Sequence, residues 1–209
     1  RTLTGHKERV WAIDLSPDNR ILASGAADGE ILIWQLSRST NSPKSALPSK
    51  APIRALTFAD NGETLLSAGR DGEVTVWAKN SAGDFDKSHE FQVSDQINAI
   101  VLSPDGNELA LGLQQGAVSV LNWKDQNQSP RQLYRHDGGV TSLAYSPDGI
   151  TLASGGYDKT VRLTPLNAAL TRPLILQAHE DWVLSIAFSP AGDRIASGGA
   201  DRAIGLWYT

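Results

Sequence analysis

The sequence contains no cysteine and no methionine. The lack of cysteine excludes disulfide bonds, thiolate metal sites and cysteine nucleophiles. No stretch approaches about 18 uninterrupted apolar residues, so no membrane-spanning helix is predicted. No signal-peptide pattern opens the sequence. Because an initiator methionine is also absent, we expect these 209 residues to be a piece of a longer chain.

Positive charge is scarce as well. The 19 Lys and Arg residues stand against 23 Asp and Glu, which gives a formal net charge of −4. Non-specific nucleic-acid binding needs many cations against phosphates, so this balance disfavours it. With 40% hydrophobic and 20% charged residues, the composition is that of an ordinary globular domain. We therefore expect no nucleic-acid partner and no membrane partner.

What the sequence does contain is an internal repeat. A turn phrase related to Ser-Pro-Asp-Gly begins at residues 16, 59, 103, 146 and 189, in steps of 43 or 44 residues. A second phrase related to Asp-Gly keeps the same step, at 27–29, 70–72, 114–116, 157–159 and 200–202. Two phrases in one register predict a single repeat domain over 1–209. Its five repeats are 1–44, 45–87, 88–130, 131–172 and 173–209.

Each repeat has the patterning of β-strands rather than of helices. In the first repeat, short apolar runs lie at Val10–Leu15, Ile21–Gly25 and Ile31–Trp34, separated by the two turns. Such runs of four to eight residues are typical of strands. A fourth, weaker strand is predicted at 1–3, 91–93, 131–134 and 173–176, with a poorly marked copy near 45–48. Four short antiparallel strands per repeat predict an all-β fold, the β-propeller, whose blades cover one another's faces.

Polar residues also recur at fixed places in the repeats. The first repeat has His6, Ser24, Asp28 and Trp34. The matching residues are Ser67, Asp71 and Trp77 in the second repeat, His136, Ser154 and Asp158 in the fourth, and His179, Ser197, Asp201 and Trp207 in the fifth. This pattern resembles the signature of the WD-repeat (tryptophan-aspartate repeat) β-propeller family. The resemblance implies a structural brace in which Asp, His, Ser and Trp are joined by hydrogen bonds.

Some repeats depart from this signature. Thr164 replaces the Trp in the fourth repeat, and Ser49 stands where the second repeat should have His. The third repeat is degenerate, with Val93, Leu111, Gln115 and Leu121 at the four places. Removing all the polar partners of a buried network together is nearly neutral, whereas removing one is costly. We therefore expect the third blade to form without a brace.

The recurring His, Ser and Asp also suit nucleophilic hydrolysis. We favour the structural brace, because the trio recurs in three repeats and no Gly-x-Ser-x-Gly phrase occurs. The alternative is a propeller enzyme of lactonase or hydrolase type, which would need carboxylates or metal ligands converging on the channel. We predict no catalytic residue, no cofactor and no metal. His89, beside Asp86 and Glu90, is interpreted as a solvated loop histidine.

The resemblance implies that function lies on the narrower face around the channel, where this family often binds peptides or folded proteins. The positions carried over to that face are Arg9, Trp11, Arg54, Arg70, Gln96, Asn98, Gln114, Thr141, Tyr157, Trp182 and Leu184. Trp, Tyr and Arg often anchor interfaces, although the rings alternatively pack on neighbouring loops. The prediction is a non-catalytic, cytoplasmic scaffold for a protein or peptide of acidic and apolar character. A nucleic-acid or ubiquitin-type reader is the disfavoured alternative.

The turn phrases and the segment 179–183 (HEDWV) also resemble bacterial WD-repeat arrays. Those arrays often follow kinase, NTPase or protease modules, which implies a docking or sensor module of a signalling protein. Propellers of this family usually have seven blades. A closed five-bladed ring, an arc of a seven-bladed ring and part of a longer double array all stay open. We favour the arc, which self-associates if its end faces are uncovered; a closed ring would take its last strand from 1–3.

Overall fold

A computed structural model describes residues 1–166, 172–177 and 179–209. The end of the predicted fourth repeat, at 167–171, lies outside the described residues. The chain divides into two compact units, Arg1–Ile97 and Asn98–Thr209. Apart from strands, the described residues contain one short 3-10 turn, Asp60–Gly62. None of their helical segments has the length and apolar character needed to cross a membrane.

The first unit contains two antiparallel sheets of four strands each. The first sheet consists, in spatial order, of β1 (Val10–Leu15), β2 (Ile21–Ala26), β3 (Glu30–Gln35) and β4 (Ser45–Pro48). The second sheet consists of β5 (Ile53–Ala59), β6 (Thr64–Gly69), β7 (Glu73–Lys79) and β8 (Phe85–Gln92). Sequence order and spatial order agree in both sheets, as the short turns between strands require.

The second unit contains three antiparallel sheets in its described residues. The third sheet begins at the unit boundary and has β9 (Ile97–Leu102), β10 (Glu108–Leu113), β11 (Ala117–Asn122) and β12 (Arg131–Arg135). The fourth has β13 (Val140–Tyr145), β14 (Thr151–Gly156), β15 (Thr160–Pro165) and β16 (Leu174–Gln177). The fifth has three strands among the described residues, β17 (Val183–Phe188), β18 (Arg194–Gly199) and β19 (Ile204–Tyr208).

The all-β class is thus confirmed, with antiparallel sheets of three or four strands among the described residues, but one predicted strand is wrong. Residues 1–3 form no strand. The Arg1 guanidinium instead donates to the Asn41 side chain at 3.2 Å and to backbone carbonyls of the same loop, including that of Thr40. These bonds hold the segment against the loop after β3 rather than along a sheet edge. The outer strand predicted at 91–93 also begins earlier, at Phe85, because polar residues between Phe85 and Phe91 hide the apolar pattern.

The Ser-Pro-Asp turns close the first hairpin of most sheets by one recurring device. The Ser16 hydroxyl donates to the Asp18 carboxylate at 2.6 Å and accepts the amide of Ile21 at 2.9 Å. The hydrogen bond from Ser16 holds the pKa of Asp18 below its usual range. Asn19 takes a positive φ of 58° at the end of this turn. The buried hydroxyl therefore has partners on both sides, which satisfies a group that is costly to bury alone.

Neighbouring sheets within a unit pack through one repeated interface. We call the face that contacts the preceding sheet the leading face, and the opposite one the trailing face. Leu56, Leu143 and Ile186 occupy equivalent leading positions and pack against the preceding sheet. The trailing residues they meet are Ile31 and Ile33, Val118 and Val120, and Val161 and Leu163. Each unit therefore has its core between sheets, as the stacking of incomplete repeats requires.

Two hydrogen bonds fasten these interfaces. The Asp14 carboxylate accepts the amide of Phe58 at 2.6 Å, and the Ser142 hydroxyl accepts the amide of Ile186 at 3.1 Å. Burial raises the pKa of Asp14, against the opposing effect of the Phe58 and Leu15 amides that donate to it. A first-strand side chain of one sheet thus holds the first strand of the next.

Two sheet faces carry exposed apolar side chains. On the leading face of the first sheet, Val10 is 43% and Ile13 67% exposed. On the trailing face of the fifth sheet, Ile204 is 77% and Leu206 72% exposed. Both faces are apolar, and large exposed apolar patches mark interaction surfaces.

Candidate functional site

The brace residues of the first sheet form one hydrogen-bonded row. Trp34 Nε1 donates to the Ser24 hydroxyl at 2.8 Å, and His6 Nε2 lies 2.7 Å from the same oxygen. His6 Nδ1 lies 3.3 Å from the Asp28 carboxylate. The Ser24 hydroxyl accepts the indole proton, and because an ionised carboxylate can only accept, His6 Nδ1 donates to Asp28. The row runs from the indole N–H, which can only donate, to the carboxylate, which can only accept, and each polar group in it has a hydrogen-bond partner.

The fourth sheet builds the same row with a different end. His136 Nε2 lies 2.7 Å from the Ser154 hydroxyl, and His136 Nδ1 lies 2.9 Å from the Asp158 carboxylate. The Tyr134 hydroxyl lies 2.8 Å from Ser154 and takes the place of the missing Trp. Sequence reasoning missed Tyr134, because it lies on β12 of the third sheet, 20 residues before Ser154, and not at position 164, where the signature has Trp.

Arg162 extends this row in the fourth sheet. Its guanidinium donates to Asp158 at 3.0 Å and to the carbonyl of Arg135 at 2.6 Å. Both side chains of this ion pair are almost fully buried. The sequence did contain a signal for this contact. Side chains alternate between the two faces of a strand, so Arg162 of β15 lies on the same face as Thr160 and Thr164. The fourth sheet therefore contains a buried ion pair inside its brace.

The remaining sheets carry complete, partial or absent rows. In the fifth, His179 lies 2.9 Å from Ser197 and 3.0 Å from Asp201, while Trp207 donates to Ser197 at 3.3 Å. In the second, Trp77 donates to Ser67 at 2.8 Å, but the exposed Asp71 accepts the Glu73 amide. In the third, Leu111 and Leu121 are buried, Val93 is half-buried and Gln115 is exposed.

This geometry suits a brace and not a catalytic group. Ser154 is 0% and His136 1% exposed, so no substrate reaches the hydroxyl. A nucleophilic serine also needs its oxygen directed at a substrate, whereas Ser154 is held between His136 and Tyr134. The row therefore ties the turn before β13 to the inner strands of its own sheet.

The brace carboxylates are held ionised. Burial raises the pKa of Asp28, but the Glu30 and Lys7 amides and the His6 hydrogen bond outweigh it, so the net shift is downward. In Asp158 the same burial effect is outweighed by His136 and Thr160, and the pKa falls well below its usual range. The Ala203 and Glu180 amides lower the pKa of Asp201. All three groups bind fewer protons in the folded state than in the unfolded state at acid pH.

We therefore expect acid to destabilise the protein through these carboxylates. A lowered folded pKa contributes stability above the unfolded value of 3.8, and that contribution is lost as pH falls through the folded pKa. The free energy of unfolding should decrease as pH falls below about 4. Denaturant titrations at a series of pH values test this, with Asp158→Asn expected to give a shallower decrease. A stability that stays constant or rises on acidification below that pH would contradict the prediction.

The predicted partner-face residues of the first unit meet in one cluster. The Arg54 guanidinium carbon lies 4.5 Å from the centre of the Trp11 ring, and that of Arg70 lies 5.2 Å from it. Trp11 and Arg54 are half-buried, whereas Arg70 is exposed. Cation–π contacts of this length are attractive. We call these three residues the Trp11 cluster; Arg9 and Gln96, the other predicted face residues of this unit, are exposed.

The predicted residues of the second unit make two separate groups. The rings of Tyr157 and Trp182 lie 4.7 Å apart, and Trp182 is 49% exposed. The Asn98 amide donates to the Gln114 side chain at 2.9 Å and to the carbonyl of Val140 at 3.0 Å. The pairing of Tyr157 with Trp182 leaves an aromatic surface open to solvent.

Two further predicted face residues, Thr141 and Leu184, also lie in the second unit. The Thr141 hydroxyl lies 2.9 Å from the Gly155 carbonyl of its own sheet and also contacts the Val183 carbonyl of the fifth sheet. Its single proton is therefore engaged by these carbonyls. Leu184 is 52% exposed. His89 lies on β8 rather than in a loop, with its ring edge-on to Phe91. Among the described residues, no three His, Asp or Glu side chains are grouped so as to hold a metal ion.

The second unit also contains a cleft that sequence reasoning missed. It has a volume of about 630 Å³ and lies at the turn ends of the third and fourth sheets. Asp105, Glu108 and Asp148 line it, together with Tyr145, whose hydroxyl donates to Glu108 at 2.9 Å. The turn carboxylates are satisfied by their own serines, as in Asp105 with Ser103 and Asp148 with Ser146.

Comparison with known proteins gives matches to a single family of repeats. The model of the WD domain, G-beta repeat, matches residues 1–35, 41–78, 127–164 and 171–208, which is more than half of the chain. The matched ranges omit most of the degenerate third repeat. Proteins with these repeats are generally protein-interaction scaffolds and typically not enzymes.

Three curated proteins illustrate the similarity. Small ribosomal subunit protein RACK1 of Schizosaccharomyces pombe is 42% identical over 57 residues, covering 27% of this chain and 18% of that protein. A probable cytosolic Fe-S cluster assembly factor of Schizosaccharomyces japonicus is 54% identical over 33 residues, covering 16% and 5%. Human WD repeat and HMG-box DNA-binding protein 1 is 27% identical over 147 residues, covering 66% and 13%.

The chain spans less than a fifth of the length of these relatives. The likeness therefore concerns the repeats and not the whole proteins. Four family-model matches, five antiparallel sheets and a recurring His-Ser-Asp row agree on one assignment. The chain belongs to the WD-repeat family.

Proposed function

We propose that this chain is a non-catalytic scaffold that binds a protein or peptide of acidic and apolar character. The observation that carries the proposal is the Trp11 cluster, where two arginines lie over one indole ring. Stacking engages the flat face of a guanidinium, while its N–H edge is the part that recognises carboxylates. Arg70 is exposed at this place and suits an acidic side chain of a partner.

The aromatic pair of the second unit supports the apolar half of the proposal. Trp182 is half exposed although its ring packs on Tyr157. Leaving so large an apolar surface in water is unfavourable, and covering it on binding gains free energy. Trp and Tyr also anchor many interfaces, because they lose little conformational freedom for the area they bury. This pair therefore suits an apolar side chain of the partner.

Selection from a random peptide library tests the scaffold directly. The chain should enrich peptides that combine acidic and apolar residues. The variant with Trp11, Arg54 and Trp182 all replaced by alanine should lose that enrichment at least about tenfold, since anchor residues carry most of the binding energy. Replacing the exposed Arg20 and Arg38 by alanine is the matched control and should leave enrichment unchanged. Equal enrichment by the triple variant, at an unchanged melting temperature, would overturn the face assignment.

We also propose that the scaffold is a docking or sensor module of a larger cytoplasmic signalling protein. The turn phrases and the segment 179–183 resemble bacterial WD-repeat arrays, and this resemblance supports the proposal that the chain is a module of a larger protein. The name of one relative, a probable cytosolic Fe-S cluster assembly factor, supports the location. Expression of the full parent gene with fractionation of the cell tests this, and a parent protein recovered only outside the cytoplasm would contradict it.

We further propose that 1–209 is one propeller domain and an arc of a seven-bladed ring rather than a closed ring. The resemblance supports this proposal, because propellers of that family usually have seven blades and the described residues form five sheets. An arc exposes apolar faces that should associate. Native mass spectrometry of the isolated chain should therefore show dimers or larger species. A monomer with a single sharp melting transition would favour the closed ring instead.

A further inference from the structure

We infer that Asn61 is a site of spontaneous covalent modification, at which its side chain cyclises with the Gly62 backbone amide and then hydrolyses to aspartate or isoaspartate. The two residues lie in the short turn Asp60–Gly62, which joins β5 to β6. Because glycine has no Cβ, its backbone nitrogen is free to approach the preceding side chain. This reactivity depends on one turn of the first unit, so it is independent of the proposed partner and of the number of blades.

The backbone of this turn is strained. Asp60 has a φ of 47° and Asn61 a φ of 54°, and Gly62 follows with a φ of 90°. This left-handed region is unfavourable for residues with a Cβ, which normally adopt it singly rather than in succession. In the other four turns the position of Asp60 is proline, whose ring fixes φ at about −65°. These prolines are Pro17, Pro104, Pro147 and Pro190. Opening relieves the strain, so it costs the second turn less free energy than the others.

The turn also lacks the hydroxyl that holds its equivalents closed. In the third sheet the Ser103 hydroxyl donates to the Asp105 carboxylate at 2.5 Å and accepts the Glu108 amide at 2.9 Å. Ala59 replaces this serine in the second sheet, and Asn61 stands in the place of the aspartate. Within the part of the chain that the structure describes, the exposed Asn61 side chain makes no hydrogen bond. Its carboxamide is therefore not tethered as the Asp105 carboxylate is.

In its closed form the turn keeps the two reacting groups apart. Ring closure requires the Gly62 nitrogen and the Asn61 Cγ to lie on the same side of the Asn61 Cα–C bond. The ψ of 29° at Asn61 instead turns that nitrogen away from the side chain. Two long hydrogen bonds hold this form, from the Glu63 amide to the Asp60 carbonyl at 3.1 Å and from the Thr64 hydroxyl to the Asp60 carboxylate at 3.3 Å. Cyclisation therefore proceeds from the opened turn, and its rate follows the opened fraction.

The reaction needs only water, with hydroxide as the base. After hydroxide removes the Gly62 amide proton, the nitrogen bonds to the Asn61 Cγ, the Cγ–Nδ2 bond breaks, and ammonia leaves with a proton taken from water. Water then opens the resulting succinimide ring at one of its two carbonyls. Breaking the new nitrogen–Cγ bond gives aspartate, whereas breaking the original peptide bond gives isoaspartate, in which the chain continues through the side-chain carbonyl. Either product exchanges an amide for a carboxylate, and no atom is oxidised or reduced.

Both products alter a packed contact between the first two sheets. Gly62 is buried, and a Cβ placed on it would lie 3.4 Å from the Cβ of Ser16 and 3.6 Å from the Cδ of Pro17. Isoaspartate lengthens the backbone directly before this glycine, which displaces the contact. Either product also adds a negative charge between Asp60 and Glu63, where like charges repel. Modification should therefore lower the stability of the first unit.

The test follows the folded chain during incubation in mildly alkaline buffer. Peptide mass spectrometry should show conversion of amide to carboxylate at Asn61 ahead of the other asparagines. A protein isoaspartate methyltransferase with a labelled methyl donor should label the same peptide. Asn61→Gln should abolish that label, because glutamine would have to close a six-membered ring. The modified fraction should also unfold at a lower denaturant concentration than the fresh chain.

The double variant Ala59→Ser with Asp60→Pro is the matched control, because it rebuilds the turn of the other sheets and leaves Asn61 and Gly62 in place. At an unchanged or raised melting temperature it should slow the conversion at least about fivefold, the effect of one modest hydrogen bond. An equal rate in the double variant would show that strain and the missing serine do not control the reaction, which overturns the inference. A folded chain that stays unmodified at Asn61, whether or not the chain unfolded in urea reacts, would overturn it as well.

Discussion

Replacing Asp158 by alanine should lower the free energy of unfolding of the second unit by about 3–5 kcal/mol. The Asp158 carboxylate lies 2.9 Å from His136 Nδ1 and 3.0 Å from the Arg162 guanidinium. The Asp158 and Arg162 side chains are 8% and 10% exposed. Removing the carboxylate leaves a buried guanidinium without its counter-charge and a buried imidazole N–H without its acceptor. Urea titration followed by tryptophan fluorescence measures the loss.

Asp71→Ala is the matched control for that substitution. Asp71 occupies the same repeat position in the second sheet, where it is exposed and accepts the Glu73 amide at 3.1 Å. A single hydrogen bond at an exposed turn contributes about 1 kcal/mol or less. Equal losses of unfolding free energy in the two variants would show that the brace of the fourth sheet contributes no more to stability than the exposed turn of the second.

Replacing Ile186 by alanine should destabilise the second unit by about 2–5 kcal/mol, whereas Ile13→Ala should cost well under that in a monomeric sample. The two isoleucines are equivalent in the repeat, but Ile186 is 9% exposed and Ile13 67% exposed. Truncating Ile186 opens a cavity against Val161 and Leu163. Truncating Ile13 removes surface that water already reaches. Denaturant unfolding of dilute samples gives both values.

The association state should respond in the opposite order. Ile13→Ala should weaken the self-association proposed for the open arc, because Ile13 lies on an exposed apolar face, whereas Ile186→Ala acts on the fold itself. A large stability loss from Ile13→Ala in dilute solution would mean that the first leading face is covered in the monomer. Such a result would contradict the proposed open arc.

The repeat and its chemistry were predictable from the sequence alone. The spacing of the Ser-Pro-Asp turns and of the Asp-Gly turns set the five sheets, because hairpin turns have strict residue requirements. The alternation of short apolar runs such as Val10–Leu15 indicated strands. The row of His6, Ser24, Asp28 and Trp34 followed from the family signature, and its members lie within hydrogen-bond distance.

Other features depended on contacts between strands distant in sequence. Tyr134 completes the fourth row in place of Trp, and Arg162 adds a buried charge to it. Trp11, Arg54 and Arg70 meet although they come from different strands and turns. A repeat register aligns positions, but it does not say which long side chains reach one another across a sheet.

By itself the sequence determined the all-β class, the length of the repeat and the place of each brace residue, because turns and alternation are local properties of the chain. Tertiary structure alone decided which equivalent positions are covered. Ile13 and Ile186 are both isoleucines at the same position in the repeat, yet Ile13 is 67% exposed and Ile186 is 9% exposed. The burial of such a side chain depends on its packing against a neighbouring sheet, which the local sequence does not specify.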